Sequence, residues 1–239
     1  VESIPGVEAL YTEAITAVPG QFQIITLIHS LEHIAEPVKF LAGLWDKLVG
    51  GGILVVQVPD CWQNPFMFLV ADHATHFFAA TLHDVVIAGG YDVAVTADGW
   101  IAKELTLIAR KPAHELRPQR KAIAVDNVAT VRDRVEWVVM LGQQTRALAA
   151  KNSLGLFGTS IAATWLQEEM HGEAAFFVDE DPSRFGQVFM GRPILRPSEV
   201  PPGGQVMIAL PAPMAEQVRT RLLREAPDVK WLVPPALPK

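Results

Sequence analysis

The sequence predicts an α/β fold built as two successive α/β domains, the second smaller than the first. Three observations carry that expectation. From Phe22 to Lys111 hydrophobic runs alternate with helical-period segments and glycine turns, the grammar of a largely parallel sheet. The same alternation begins again at Leu154, after a long amphipathic stretch. Half of the 239 residues are hydrophobic and 19% are charged, which is enough apolar material for a sizeable core.

Residues 1–20 carry Pro5-Gly6 and Pro19-Gly20 around EALYTEAITAV and read as a short helix between turns. A strand at Gln23–Ile28 runs into His29-Ser30. Leu31, Ile34, Val38, Leu41, Leu44 and Leu48 then recur at helical spacing, and Gly50-Gly51-Gly52 stops the helix. Glu32 and His33 fall on its first turn, with Ser30 placed to cap it. Ile53–Val58 is a nearly continuous apolar run, as in a strand covered on both faces, and Pro59 closes it.

Asn64–Thr81 is irregular and rich in aromatic and histidine residues, which fits a loop or short helix of an active site. Trp62 lies just before it, placed either to wall a pocket or to seal a core. Thr81 caps a helix that ends at Gly89-Gly90. Tyr91–Thr96 and Ala102–Arg110 form an antiparallel pair around Ala97-Asp98-Gly99. The charged, proline-containing stretch 111–118 marks a boundary. Val128, Val131, Val135, Val138, Leu141 and Leu148 predict a long amphipathic helix. LGLFGTS, AAFFVDED, QVMIALP and VKWLVPP follow as strands, with helices at SIAATWLQEEM and 212–225. The expected organisation is a first domain over 1–111, a linking helical segment over 112–151 and a small domain over 152–239.

The net charge of −6 argues against a nucleic-acid partner, because phosphate neutralisation uses clustered Lys and Arg. Apolar runs near 84–95 and 205–213 are broken too early for a membrane span. A single cysteine, Cys61, excludes an internal disulfide and a thiolate metal cluster, and it suits a reducing cytoplasm. The chain opens at Val1 with neither an initiator Met nor a signal-peptide pattern, so it reads as the later part of a longer polypeptide.

The chemistry-bearing residues gather where strands end. Asp72-His73 pairs a carboxylate with an imidazole whose ordinary pKa, about 6.5, lets it exchange a proton near neutrality. The bland alternative has Asp72 capping a short helix while His73 and His76 pack with Phe77 and Phe78. His29, His33, His73, His76 and His83, with Asp60 and Asp72, are metal-ligand types, and His73 and His76 stand three apart. No recognisable spacing supplies further ligands, so no metal is expected. Gly155 and Gly158 in LFGTS make a weak phosphate-cradling turn, with Asp179 or Asp181 placed for a ribose hydroxyl. Packing or dimer contact is the plainer use of that domain.

The first block resembles the second half of a class I S-adenosylmethionine-dependent methyltransferase. The resemblance rests on Leu31-Glu32-His33, on Gly50–Gly52 before Ile53–Val58, on Asp72, His73, His76, Phe77, Thr81 and Leu82, and on Gly90-Tyr91. GLFGTSIAATWL, FFVDEDPSRFGQVFMGRPIL and VMIALP are similar to the C-terminal domain of sugar C-methyltransferases. The implied fold is part of a Rossmann-like methyltransferase sheet followed by a second, smaller Rossmann-like domain. The implied activity is methyl transfer from S-adenosylmethionine to a small-molecule acceptor, of the nucleotide-linked sugar kind. His73, Asp72 and His76 would be catalytic, with His73 moving protons and Asp72 orienting it. Leu27, His29, Ser30 and His33 would hold the cofactor. The family's tyrosine two residues before the acid is Val70 here, and its glycine-rich cofactor loop and ribose-binding acid would precede Val1. A non-catalytic binding or assembly module, or nucleotide binding through the C-terminal domain, are the alternatives.

Overall fold

Each run of alternating elements closes its own sheet over its own apolar core. The computed structural model describes residues 4–113 and 127–238. They divide into two compact units, one holding 4–60 and 72–113 and the other 61–71 and 127–238. The boundary expected at 111–118 runs into residues outside those described.

The first unit contains β1 (Phe22–Ile28), α1 (Pro37–Leu44), β2 (Leu48–Pro59), α2 (Ala79–Ala88), β3 (Asp92–Ala97) and β4 (Glu104–Arg110). Its strand order is β1-β2-β4-β3, with β1 parallel to β2 and the remaining pairs antiparallel. The register sets Leu54 opposite Ala109, Val56 opposite Leu107 and Val58 opposite Leu105. These six side chains are fully buried, in one cluster with Leu41 and Leu44 of α1 and Leu82 and Val86 of α2. The alternate residues of β2, Ile53, Val55 and Gln57, are only half-buried, so this strand is fully covered on one face rather than both.

Two expected helices are shorter than their periodicity predicts. Leu31–His33 is a separate 3-10 turn, and α1 begins at Pro37. Proline lacks the N–H a helix interior needs and pushes its predecessor out of the helical region, so the apolar period continues across a break. Leu48 and Gly50–Gly52 lie inside β2 instead of at a helix end. The EALYTEAITAV segment holds only a 3-10 turn at Ile15–Ala17, since a segment this short does not offset the cost of nucleating a helix.

Gly89 and Tyr91, just before β3, pack α1 and α2 together. A Cβ on Gly89 would stand 2.8 Å from that of Leu41, so glycine lets α2 approach α1. The fully buried Tyr91 donates its hydroxyl to the Leu41 carbonyl at 2.9 Å. Thr81 sits in the third position of α2, and its hydroxyl accepts the Phe78 N–H at 2.9 Å.

The second unit contains α3 (Val128–Ala149), β5 (Leu154–Phe157), α4 (Ile161–Glu169), β6 (Phe177–Val178), β7 (Val188–Phe189), β8 (Arg192–Leu195), β9 (Gln205–Ile208), α5 (Ala212–Glu225) and β10 (Lys230–Leu232). Its order is β10-β9-β5-β6-β8-β7, parallel except for the β7–β8 hairpin. Apolar clusters lie on both faces: Leu154, Leu156 and Phe177 with α3 and α4, and Phe157, Val206 and Ile208 with α5. This is a doubly wound mixed α/β layer. No helix among the described residues is long and apolar enough to cross a membrane.

Candidate functional site

The carboxyl ends of β1 and β2 and the first residue of β4 meet at one edge of the first sheet. The strand pairing puts Pro59 opposite Glu104, so the antiparallel β4 delivers an acid to the place where both parallel strands end. His29, the residue after β1, has a φ of 47°, a left-handed conformation uncommon for a residue with a side chain. From there its ring lies between two carboxylates, with Nδ1 3.5 Å from Glu32 Oε1 and Nε2 3.6 Å from Glu104 Oε2. The Glu32 side chain is 3% exposed, and neither of its oxygens has a hydrogen-bond partner among the described residues.

A second segment folds over Glu32. Thr75 donates its N–H to the Glu32 carbonyl and its hydroxyl to that of Ile34, both at 2.9 Å. His33 Nδ1 lies 3.1 Å from the Asp72 main-chain oxygen and 3.3 Å from its carboxylate. Carbonyl oxygen only accepts, so Nδ1 donates this bond, and in the neutral ring the lone pair then lies on Nε2. The His33 and His73 rings meet edge-on at 5.0 Å, and His76 lies 6.2 Å beyond His73. One ligand atom each from Glu32, His33 and His73 lies within 4.8 Å of the others.

Burial is the main cause holding the His73 pKa below its usual 6.5, opposed first by the Glu32 charge. His33 and His76 lower it further, and Asp72 raises it least. The neutral imidazole is therefore favoured, the form that accepts a proton. Burial likewise raises the Glu104 carboxyl above 4.5, opposed first by His29 and reinforced by Glu32 and Asp60, while Lys103 lowers it.

The structure thus brings His29, His33, Asp72, His73 and His76 to one place, with Asp72 in direct contact with His33. Leu27 is buried in the core, and Ser30 donates its hydroxyl to the Ile28 carbonyl at 2.9 Å instead of capping the turn that follows. Glu104 escaped the sequence reading because it follows no motif and arrives only through antiparallel register. In the second unit, Gly155 is explained by packing, since a Cβ there would stand 2.3 Å from the Phe176 ring. Asp179 accepts the Thr159 hydroxyl at 3.1 Å and faces Arg184, and Asp181 accepts from Ser183. Both acids are engaged within the domain.

No protein-family model matches the chain, and no curated protein sequence matches it significantly. Among solved structures it is similar to a candidate DNA modification methylase of Thermus thermophilus. That comparison gives 17% identity over 92% of this chain and 95% of the other, at a TM-score of 0.26. The selenomethionine derivative gives 16% identity over 91% and 95%, at 0.23. Likeness this low carries neither fold nor activity to the present chain. The expectation of no nucleic-acid partner is corrected: both neighbours are described as DNA modification methylases, a description that is theirs. Physically, a net charge of −6 sums the whole surface and says nothing of the one face that would meet phosphate.

Proposed function

We propose that this chain serves methyl transfer from S-adenosylmethionine, with His73 as the group that moves the proton. The acceptor on this reading is a carbon, of the nucleotide-linked sugar kind that the sequence resemblance implies. The observation that supports it is the half-buried His73 imidazole, biased toward its neutral form, above the buried Glu32 carboxylate at the strand ends. Methyl transfer is chiefly a matter of alignment, but a carbon acceptor must in addition lose a proton. His73 takes that proton on a ring nitrogen and becomes an imidazolium, which the Glu32 charge stabilises.

The residues present fit one end of the cofactor. Its ammonium and sulfonium are both cationic, and Glu104 offers a partly buried carboxylate for them. Bound there, the cofactor supplies an electrophilic methyl group. His29 would fix the position of the Glu104 carboxylate, and His33 would close the side toward the 72–76 segment. Leu27 would contribute backbone only.

The test is calorimetric titration of the full chain with S-adenosylhomocysteine, followed by labelled-methyl transfer to nucleotide-linked sugars. His73→Ala should lower turnover by roughly 10²–10⁴-fold and leave S-adenosylhomocysteine affinity unchanged. Unchanged turnover would remove the role of His73. Absence of saturable S-adenosylhomocysteine binding would remove the methyl-transfer reading.

A further inference from the structure

We infer that Glu32, His33 and His73 form a binding site for one divalent transition-metal cation of the zinc class. The argument begins with Glu32. Its carboxylate is almost wholly withdrawn from water, and among the described residues neither oxygen has a hydrogen-bond donor, the His29 ring standing off at 3.5 Å. A buried carboxylate in that condition costs several kcal/mol unless it is paired, hydrogen-bonded or coordinated. The donors that face it across the cluster are the nitrogens of His33 and His73, all within 4.8 Å.

His33 is prepared as a ligand. Its Nδ1–H is held by the main-chain oxygen and carboxylate of Asp72, which fixes the ring, and the neutral ring carries its lone pair on Nε2, away from that bond. An imidazole hydrogen-bonded through its other nitrogen to a carbonyl or carboxylate is the arrangement metal-bound histidines use. The two ligand-bearing segments are locked together by the Thr75 bonds to Glu32 and Ile34, independently of any cation. Donors on one tetrahedral zinc stand about 3.3 Å apart for bonds of about 2.0 Å, so small rotations of the exposed His33 and half-buried His73 close the set.

Two imidazoles and one carboxylate select zinc-like ions over calcium or magnesium, which take oxygen ligands. Three protein ligands leave a fourth position open, the pattern of sites that exchange water or ligand. The sequence shows no metal motif because the ligands come from two segments, Glu32-His33 and His73, which only the fold brings together. A cation and a proton compete for the same His73 lone pair. Metal binding would therefore suppress proton transfer by His73, a consequence that rests on the methyl-transfer reading, while the binding itself does not.

The test is titration of the metal-free full chain with Co²⁺, followed by its visible absorption, and with Zn²⁺ by calorimetry. One equivalent per chain should bind saturably. Glu32→Gln and His73→Ala should each weaken binding at least tenfold, and His83→Ala should leave it unchanged. His73→Ala decides the matter even where Glu32→Gln fails to fold, which far-ultraviolet circular dichroism would show. Absence of saturable binding, or wild-type affinity in His73→Ala, overturns the site. S-adenosylhomocysteine titration in metal-free buffer reports separately on the methyl-transfer reading.

Discussion

His33 is tied to Asp72 across 39 residues, through a hydrogen bond from its Nδ1 to the main-chain oxygen at 3.1 Å. That bond uses the peptide group, so it survives loss of the Asp72 side chain. The carboxylate adds a contact at 3.3 Å, but it is three-quarters exposed, where ion pairs are worth at most about 1 kcal/mol.

Asp72→Ala should therefore lower unfolding free energy by less than about 1 kcal/mol in urea denaturation. On the methyl-transfer reading it should reduce turnover by no more than about tenfold, well short of the effect of His73→Ala. A loss equal to that of His73→Ala would mean that Asp72 acts on His73 directly.

Much of this edge was legible beforehand. His29, His33, Asp72, His73 and His76 stand beside strand ends or in the irregular stretch after them, and short-range pattern finds such positions. Glu104 was not legible, because its place depends on which residue of β2 it faces, and register is a pairing property rather than a local one. The start of α1 was misread because apolar spacing carries on through Pro37 although hydrogen bonding does not. The β7–β8 hairpin turns at Met190-Gly191, both with positive φ, but strands of two and four residues are too short to show alternation.

Gly155 provides a test of packing in the second unit. It lies in β5 without an unusual φ, yet any Cβ would overlap the Phe176 ring. Gly155→Ala should destabilise by about 1–3 kcal/mol, the usual range for overpacking a filled core. A shift in urea midpoint at constant slope would show it. Gly155→Ala with unchanged stability would mean that Phe176 moves aside at no cost.

Ile24 reports on the edge of the first sheet. Among the described residues β1 is the outer strand of β1-β2-β4-β3, and Ile24 is 56% exposed, with Phe22 and Ile28 also exposed. An apolar, unpaired strand edge invites pairing with another chain, and lysine there opposes it. Ile24→Lys should slow concentration-dependent aggregation in light scattering and keep stability within about 0.5 kcal/mol. Faster aggregation, or a large loss of stability, would mean that Ile24 is covered in solution.

Glu104 supplies the pH dependence. Burial is the first cause raising its folded carboxyl above 4.5, with Glu32 and Asp60 adding to it and His29 and Lys103 opposing it. A raised carboxyl pKa means that the folded chain binds the proton more tightly than the unfolded chain does. The stability tied to this proton is complete below pH 4.5 and is lost as pH rises through the folded pKa. Above it, the folded state carries a buried charge that the unfolded state leaves in water. Glu104→Gln keeps the shape and removes that charge. Relative to the native chain it should be more stable near neutral pH, and the difference should shrink as pH falls toward 4.5. Thermal unfolding of both proteins across that range measures the difference directly. A variant less stable at neutral pH would show instead that the contact of Glu104 with His29, at 3.6 Å, outweighs the burial of its charge.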